Sequence, residues 1–147
     1  MATGIKIEKK SFMAFDTEMK KGKKFQFMLF QLNKKMDKVV LVDKEKGDKK
    51  LKPTYDDFVK ALCVDGQPRW GVFQYEAKKK DGSFLDKFIM ITWCQDTAPL
   101  RKKMVHGSTH TAVKDKLSVD KVIQASTTGD VEESIIREKL GLGKKEV

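Results

Sequence analysis

Phe84 to Trp93 (FLDKFIMITW) and, after a short link, Pro99 to Leu117 (PLRKKMVHGSTHTAVKDKL) form the stretch that decides the fold. Aromatic and β-branched residues crowd its first half, which holds the most hydrophobic run of the chain and predicts a central strand. The uncharged part, Phe88 to Cys94, is far short of the ~18 apolar residues of a membrane-spanning helix. In the second half the period changes. Asp96 or Thr97 can cap a helix with Pro99 in its first turn, where the missing N–H does no harm. At about 100° per residue, Val105, Ala112, Val113 and Leu117 fall on one side and Arg101, Met104, Ser108 and Thr111 on another. With the first set toward the core, Met104 is left outside among Arg101, Lys103 and Ser108; a wider buried stripe fits the same periodicity. An exposed methionine among cations suits a partner that is apolar at its centre and acidic at its rim.

Working upstream, Lys78 to Asp81 with Gly82 makes a charged turn. Before it, Trp70, Val72 and Gln74 alternate with Gly71, Phe73 and Tyr75 as in a strand buried on both faces. Thr54, with Asp57 three residues on, caps a short helix whose Tyr55, Phe58, Val59 and Leu62 share a face. Asp43 to Lys52 is almost all charge and reads as an exposed loop. Phe25 to Leu32 and Lys38 to Asp43 read as a hairpin or meander, and Phe12, Phe15 and Met19 mark a first helix over Ser11 to Lys20. Downstream, a short strand near Lys121 to Ala125 precedes a last helix. Asp130 and Glu133 are its capping pair, Val131, Ile135, Ile136 and Leu140 line one face, and Gly141 ends it. The chain of 147 residues suits one domain, 1–147. The expected fold is α/β (α+β type): a mixed five- to six-stranded sheet sandwiched by helices on both faces.

The chain carries 31 basic and 21 acidic residues, a net +10, and its basic side is 28 Lys against Arg69, Arg101 and Arg137. Lysine is a hydrated point charge without the bidentate fork that reads bases. The excess therefore favours acidic partners and argues against sequence-specific nucleic-acid recognition. Cys63 and Cys94, each in an apolar setting, fit two buried thiols of a reducing compartment. Met1 to Lys10 lacks the apolar segment of a secretory signal, so the expectation is a cytoplasmic protein.

Catalytic patterns are sparse. His106 and His110 stand at i, i+4 but without the Glu of an H-E-x-x-H site, and structural or exposed histidine is the favoured reading. Asp56/Asp57 and Glu132/Glu133 lie in first helical turns, where the backbone dipole favours negative charge. No phosphate-binding loop or nucleophile elbow occurs. These patterns leave an enzyme open but propose no reaction; the expectation for the chain is a binding protein and not an enzyme, with no metal and no cofactor.

Trp93-Cys-Gln-Asp96-Thr-Ala98-Pro99-Leu-Arg101-Lys-Lys103-Met104 resembles the signature of the actin-depolymerising factor/cofilin family. The likeness extends to Tyr55–Leu62 (YDDFVKAL), Arg69–Glu76 (RWGVFQYE), Ile136–Gly141 (IREKLG) and the start Met1-Ala2-Thr3-Gly4. It implies the ADF homology fold and binding to actin, monomeric (G-actin) and filamentous (F-actin), the ADP form preferred, with severing and depolymerisation of filaments. The residues implied to contact both forms are Thr3, Gly4, Ile5, Arg101, Lys103, Met104 and Ser108. Those implied for filaments alone are Lys79, Lys80 and Lys87 with Arg137, Glu138 and Lys139. Thr3 stands where the family carries a phosphorylated serine. Phosphoinositides are an implied ligand class, and a cytoskeleton-associated monomer the implied state. The alternatives are the coactosin type, which binds filament sides without severing, and the glia maturation factor type, which acts on the branch-nucleating actin-related complex. Two departures stand out. His106-Gly107 replace Tyr-Ala, an interior Gly costing about 1 kcal/mol relative to Ala, and the basic insert after the first helix is missing.

Overall fold

A computed structural model of the chain describes residues 5–42 and 46–142. In chain order it has β1 (Lys6–Ile7), α1 (Lys9–Ala14), β2 (Phe25–Leu32), β3 (Lys38–Leu41), β4 (Gly47–Asp48), α2 (Tyr55–Leu62), β5 (Arg69–Lys78), β6 (Phe84–Trp93), α3 (Leu100–Leu117), β7 (Lys121–Ala125) and α4 (Glu133–Lys139). One mixed sheet runs β1-β3-β2-β5-β6-β7, with β4 paired to the start of β2. The fold class is the one expected. Among the described residues the strands number seven rather than five or six, because β1 and β4, two residues each, are too short to carry an alternation legible in the sequence.

The sheet centre is the β5–β6 pair, antiparallel over ten rungs from Arg69↔Trp93 to Lys78↔Phe84. Alternation sorts their side chains onto two cores. Phe73, Tyr75, Ile89 and Ile91 face α2 and α4, whose Tyr55, Phe58, Leu62 and Ile136 complete one cluster. Trp70, Val72 and Met90 face the other side, with Phe15, Met19, Val113 and Leu117. Gly71 lets α2 approach the sheet, since a Cβ there would lie 2.7 Å from the Phe58 ring and 2.9 Å from Leu62 Cδ1.

Several local expectations are corrected. The first helix starts earlier and continues from Phe15 to Lys21 as a π-helix, whose wider turn keeps both Phe15 and Met19 buried. Asp43 to Lys52 is not all loop: Gly47 is buried and pairs with Phe27, and Lys49 Nζ reaches Gln74 Oε1 at 2.7 Å; Asp43 lies outside the described residues. Asp130 caps a 3-10 turn instead of α4, accepting from the Ser126 and Thr127 N–H groups. Glu133 instead accepts from the Tyr75 hydroxyl at 2.7 Å. Thr54 and Asp57 do form the expected capping box, whose hydrogen bonds hold the Asp57 carboxyl below its ordinary range.

Candidate functional site

The long helix α3 follows the Trp93–Pro99 link and lies on the Trp70 side of the sheet. Trp93 anchors the link by donating from its indole N–H to the Val64 carbonyl at 3.0 Å. The N-cap is Pro99, not Asp96 or Thr97, and no side chain caps the first turn. That turn carries Arg101, Lys102 and Lys103 and no acid. Cations beside uncapped N–H groups oppose the helix dipole. The contrast with α2, which opens on a capping box with Asp56 and Asp57, is direct. Lys102 Nζ reaches Gln67 Oε1 at 3.1 Å, and Lys103 Nζ reaches the Asp96 carbonyl at 3.0 Å.

The inward face of α3 differs from the periodicity reading. His106, Thr109, Val113 and Leu117 are buried, whereas Ala112 is exposed and Val105 half-buried. Two of the four buried side chains are polar, so hydrophobic period alone could not find the face. His106 stacks on the Trp70 indole, ring centroids 3.9 Å apart, and shares a 2.8 Å hydrogen bond between Nε2 and Thr92 Oγ1. Burial, with a smaller contribution from His110, lowers its pKa to about 3, which leaves the ring neutral.

The outward face is the one expected. Met104 is 65% exposed, and Arg101 and Ser108 are exposed beside it. Lys103 is half-buried, and the Ser108 hydroxyl donates to the Val105 carbonyl at 3.1 Å. Leu100, 70% exposed one turn before Met104, was missed by the sequence reading. The i, i+4 spacing of the two apolar residues was the available signal. Ile5 is half-buried and packs against the core cluster on the α3 side of the sheet. Thr3 and Gly4 lie outside the described residues.

The three arginines separate by environment. Arg69 is buried and donates to Gln31 Oε1 and the Ala61 carbonyl. Arg137 is buried and donates to the Tyr75 hydroxyl at 3.3 Å, itself bound to Glu133. Arg101 faces solvent. Burial and the Glu133 hydrogen bond push the Tyr75 phenol up to about 12. Lys79, Lys80 and Arg137 border one open concavity of about 1390 Å³ between the β5–β6 turn, the start of α2 and α4. Lys87, Glu138 and Lys139 are exposed. Cys63 and Cys94 are half-buried, not buried, and free. Burial raises both thiols, Cys63 to about 11, which disfavours a nucleophilic thiolate. Among the described residues no three His, Cys, Asp or Glu side chains converge on a metal position, and no helix is long and apolar enough to cross a membrane.

Residues 4–141 match the family of cofilin/tropomyosin-type actin-binding proteins. The chain belongs to this actin-binding family. Cofilin from Eremothecium gossypii is 33% identical over 144 residues, covering 96% of this chain and 95% of that one. Actophorin from Acanthamoeba castellanii is 30% identical over 146 residues, covering 99% of each. The fold superimposes on Streptomyces griseoflavus cofilin with a TM-score of 0.81 at 22% identity, covering 96% of this chain and all of that one. Human coactosin-like protein superimposes with a TM-score of 0.74 at 20% identity, covering 93% and 98%. Within the cofilin family frame, the link and the first turns of α3 carry the Trp93 to Met104 signature, and actin is the partner the family implies.

Proposed function

We propose that this cofilin family member binds monomeric and filamentous actin through the outward face of α3, severs filaments and speeds their depolymerisation. One observation carries the reading: the uncapped, acid-free first turn of α3 sets Arg101 and Lys103 beside the exposed Leu100 and Met104, while Lys102 turns inward to Gln67. A helix start so disfavoured by its own dipole is stabilised when an acidic surface docks on it, and the apolar pair supplies the desolvated centre of the contact. Arg101, Lys103, Met104 and Ser108 are assigned to both actin forms, joined by Thr3, Gly4 and Ile5 from the N-terminus.

Lys79, Lys80 and Lys87 with Glu138 and Lys139 form the filament-specific set. Arg137 belongs to it indirectly, because its buried guanidinium holds Tyr75, the cross-strand partner of Lys87. ADP-actin is the preferred form. Anionic phosphoinositide headgroups compete with actin for the cationic turn. A phosphate on Thr3 weakens binding by repelling the acidic partner. The protein acts as a cytoplasmic monomer and catalyses no reaction.

Filament length followed by microscopy across a titration tests the proposal. Shortening with a rise in unsedimented actin is expected. Decoration without shortening would overturn the severing reading in favour of the coactosin type, and loss of branches alone would favour the glia maturation factor type.

A further inference from the structure

The β5–β6 pair outruns the rest of the sheet. β2 pairs with β5 as far as Phe27↔Phe73, and β7 begins on β6 at Ile89↔Lys121. The five rungs from Gln74↔Phe88 to Lys78↔Phe84 therefore have no strand paired on either side among the described residues. A two-stranded ribbon is weakly stable by itself, so an arm of this kind needs local reinforcement. Here the tip supplies it. Lys79 N–H donates to the Ser83 carbonyl at 2.7 Å, Asp81 Oδ1 accepts from Ser83 N–H and hydroxyl at 2.9 and 2.6 Å, and Gly82 adopts the φ of +90° that the turn requires.

The two faces of the arm differ. Leu85 and Ala77 face the α2 and α4 core, and Lys87 lies on that side. Phe84, paired with Lys78, points the other way and is 80% exposed, among the most exposed large apolar side chains described. Lys78, Lys79 and Lys80 adjoin it, all exposed. An exposed aromatic ring on a hydrogen-bonded turn, with cations at its margin, has the make-up of an interface anchor, apolar at the centre and charged at the rim.

The geometry points to Phe84 as the apolar anchor of the filament contact, inserted into an apolar pocket with an acidic rim on a filament subunit. The inference rests on the reading of the β5–β6 turn as filament-binding and adds to it a contact that does not depend on charge. Lysines alone give binding that falls steeply with salt, whereas an inserted ring gives affinity that persists in salt.

The test compares wild type, Phe84→Ser, Phe84→Trp and the double change Lys79→Ala with Lys80→Ala. Filament co-sedimentation is measured at several salt concentrations, and monomer binding separately. Phe84→Ser is expected to weaken filament binding at least tenfold at every salt concentration and to leave monomer binding and the thermal midpoint unchanged. Phe84→Trp is expected to retain binding, and the lysine pair to flatten the salt dependence. If Phe84→Ser stays within twofold of wild type while the lysine pair loses filament binding, the anchor is overturned and the turn assignment stands. If neither variant changes filament binding, the turn assignment itself falls. An equal loss of monomer and filament binding by Phe84→Ser would also overturn the anchor.

Discussion

Replacing Arg101 by Glu should make the protein more stable while abolishing its binding to actin. Arg101 is the second residue of α3, behind a Pro99 N-cap that offers no side-chain acceptor, in a first turn with no acid. A single charge at a helix terminus is worth roughly 0.3–1 kcal/mol, unfavourable for a cation at the N-terminal end. Changing +1 to −1 removes one penalty and adds one gain, for a total of roughly 0.6–2 kcal/mol. For a chain of this size about 3 °C of thermal midpoint accompanies each kcal/mol, so the midpoint should rise by about 2–6 °C at low salt. The gain should shrink as salt screens the exposed site. Arg101→Gln should give about half of it. Against actin, the same reversal places like charges together at the contact, which costs several kcal/mol and lowers affinity at least a hundredfold. Thermal unfolding and co-sedimentation on the same preparations provide the readout. A lower midpoint together with lost binding would mean that the helix is damaged and the assignment unsupported. Full actin affinity in the stabilised variant would refute it outright.

Three further outcomes follow from particular contacts. The His106 ring titrates at about 3 in the fold against 6.5 when unfolded, so on acidification the unfolded state takes the proton first. Stability is then complete above about pH 6.5 and falls as pH drops toward 3, by about 2 kcal/mol at pH 5 at 1.36 kcal/mol per unit. His110, also lowered by burial, adds in the same direction, while the depressed Asp57, Asp81 and Asp130 act below 3.8. Urea midpoints at pH 7.5 and 5 should separate much less in His106→Leu than in wild type; equal separations would contradict the buried, neutral ring. Gly71→Ala should destabilise by about 1–3 kcal/mol in urea unfolding, because its Cβ would meet the Phe58 ring and Leu62; an unchanged midpoint would show that α2 moves away at no cost. Met104→Ser should weaken monomer binding at least tenfold with the same salt dependence as wild type, whereas a change confined to the salt slope would place recognition in the charges alone.

Residue pattern alone determined the strands at Phe25–Leu32, Phe84–Trp93 and Lys121–Ala125 and the capped helix after Thr54, whereas it left Met104 open between an exposed site among cations and a wider buried stripe. Each of these elements is local: alternation, turn chemistry and capping act over a few residues and need no distant partner. The family signature lies on one continuous segment and was legible for the same reason. What remained hidden depends on residues far apart in sequence. The inner face of α3 is set by Trp70 and Thr92, which hold His106 there, and by Thr109, whose hydroxyl donates to the Val105 carbonyl, so two polar residues take the place that hydrophobic period assigns to Val105 and Ala112. β4 exists because Phe27 lies 20 positions earlier to pair with Gly47. Only the tertiary structure separated Arg101 from the buried Arg69 and Arg137, since a guanidinium's role follows from the carbonyls and hydroxyls that reach it and not from its neighbours in the chain. It also exposed Phe84: a ring in a β pattern reads as core, and nothing local reveals that neighbouring strands stop short of it.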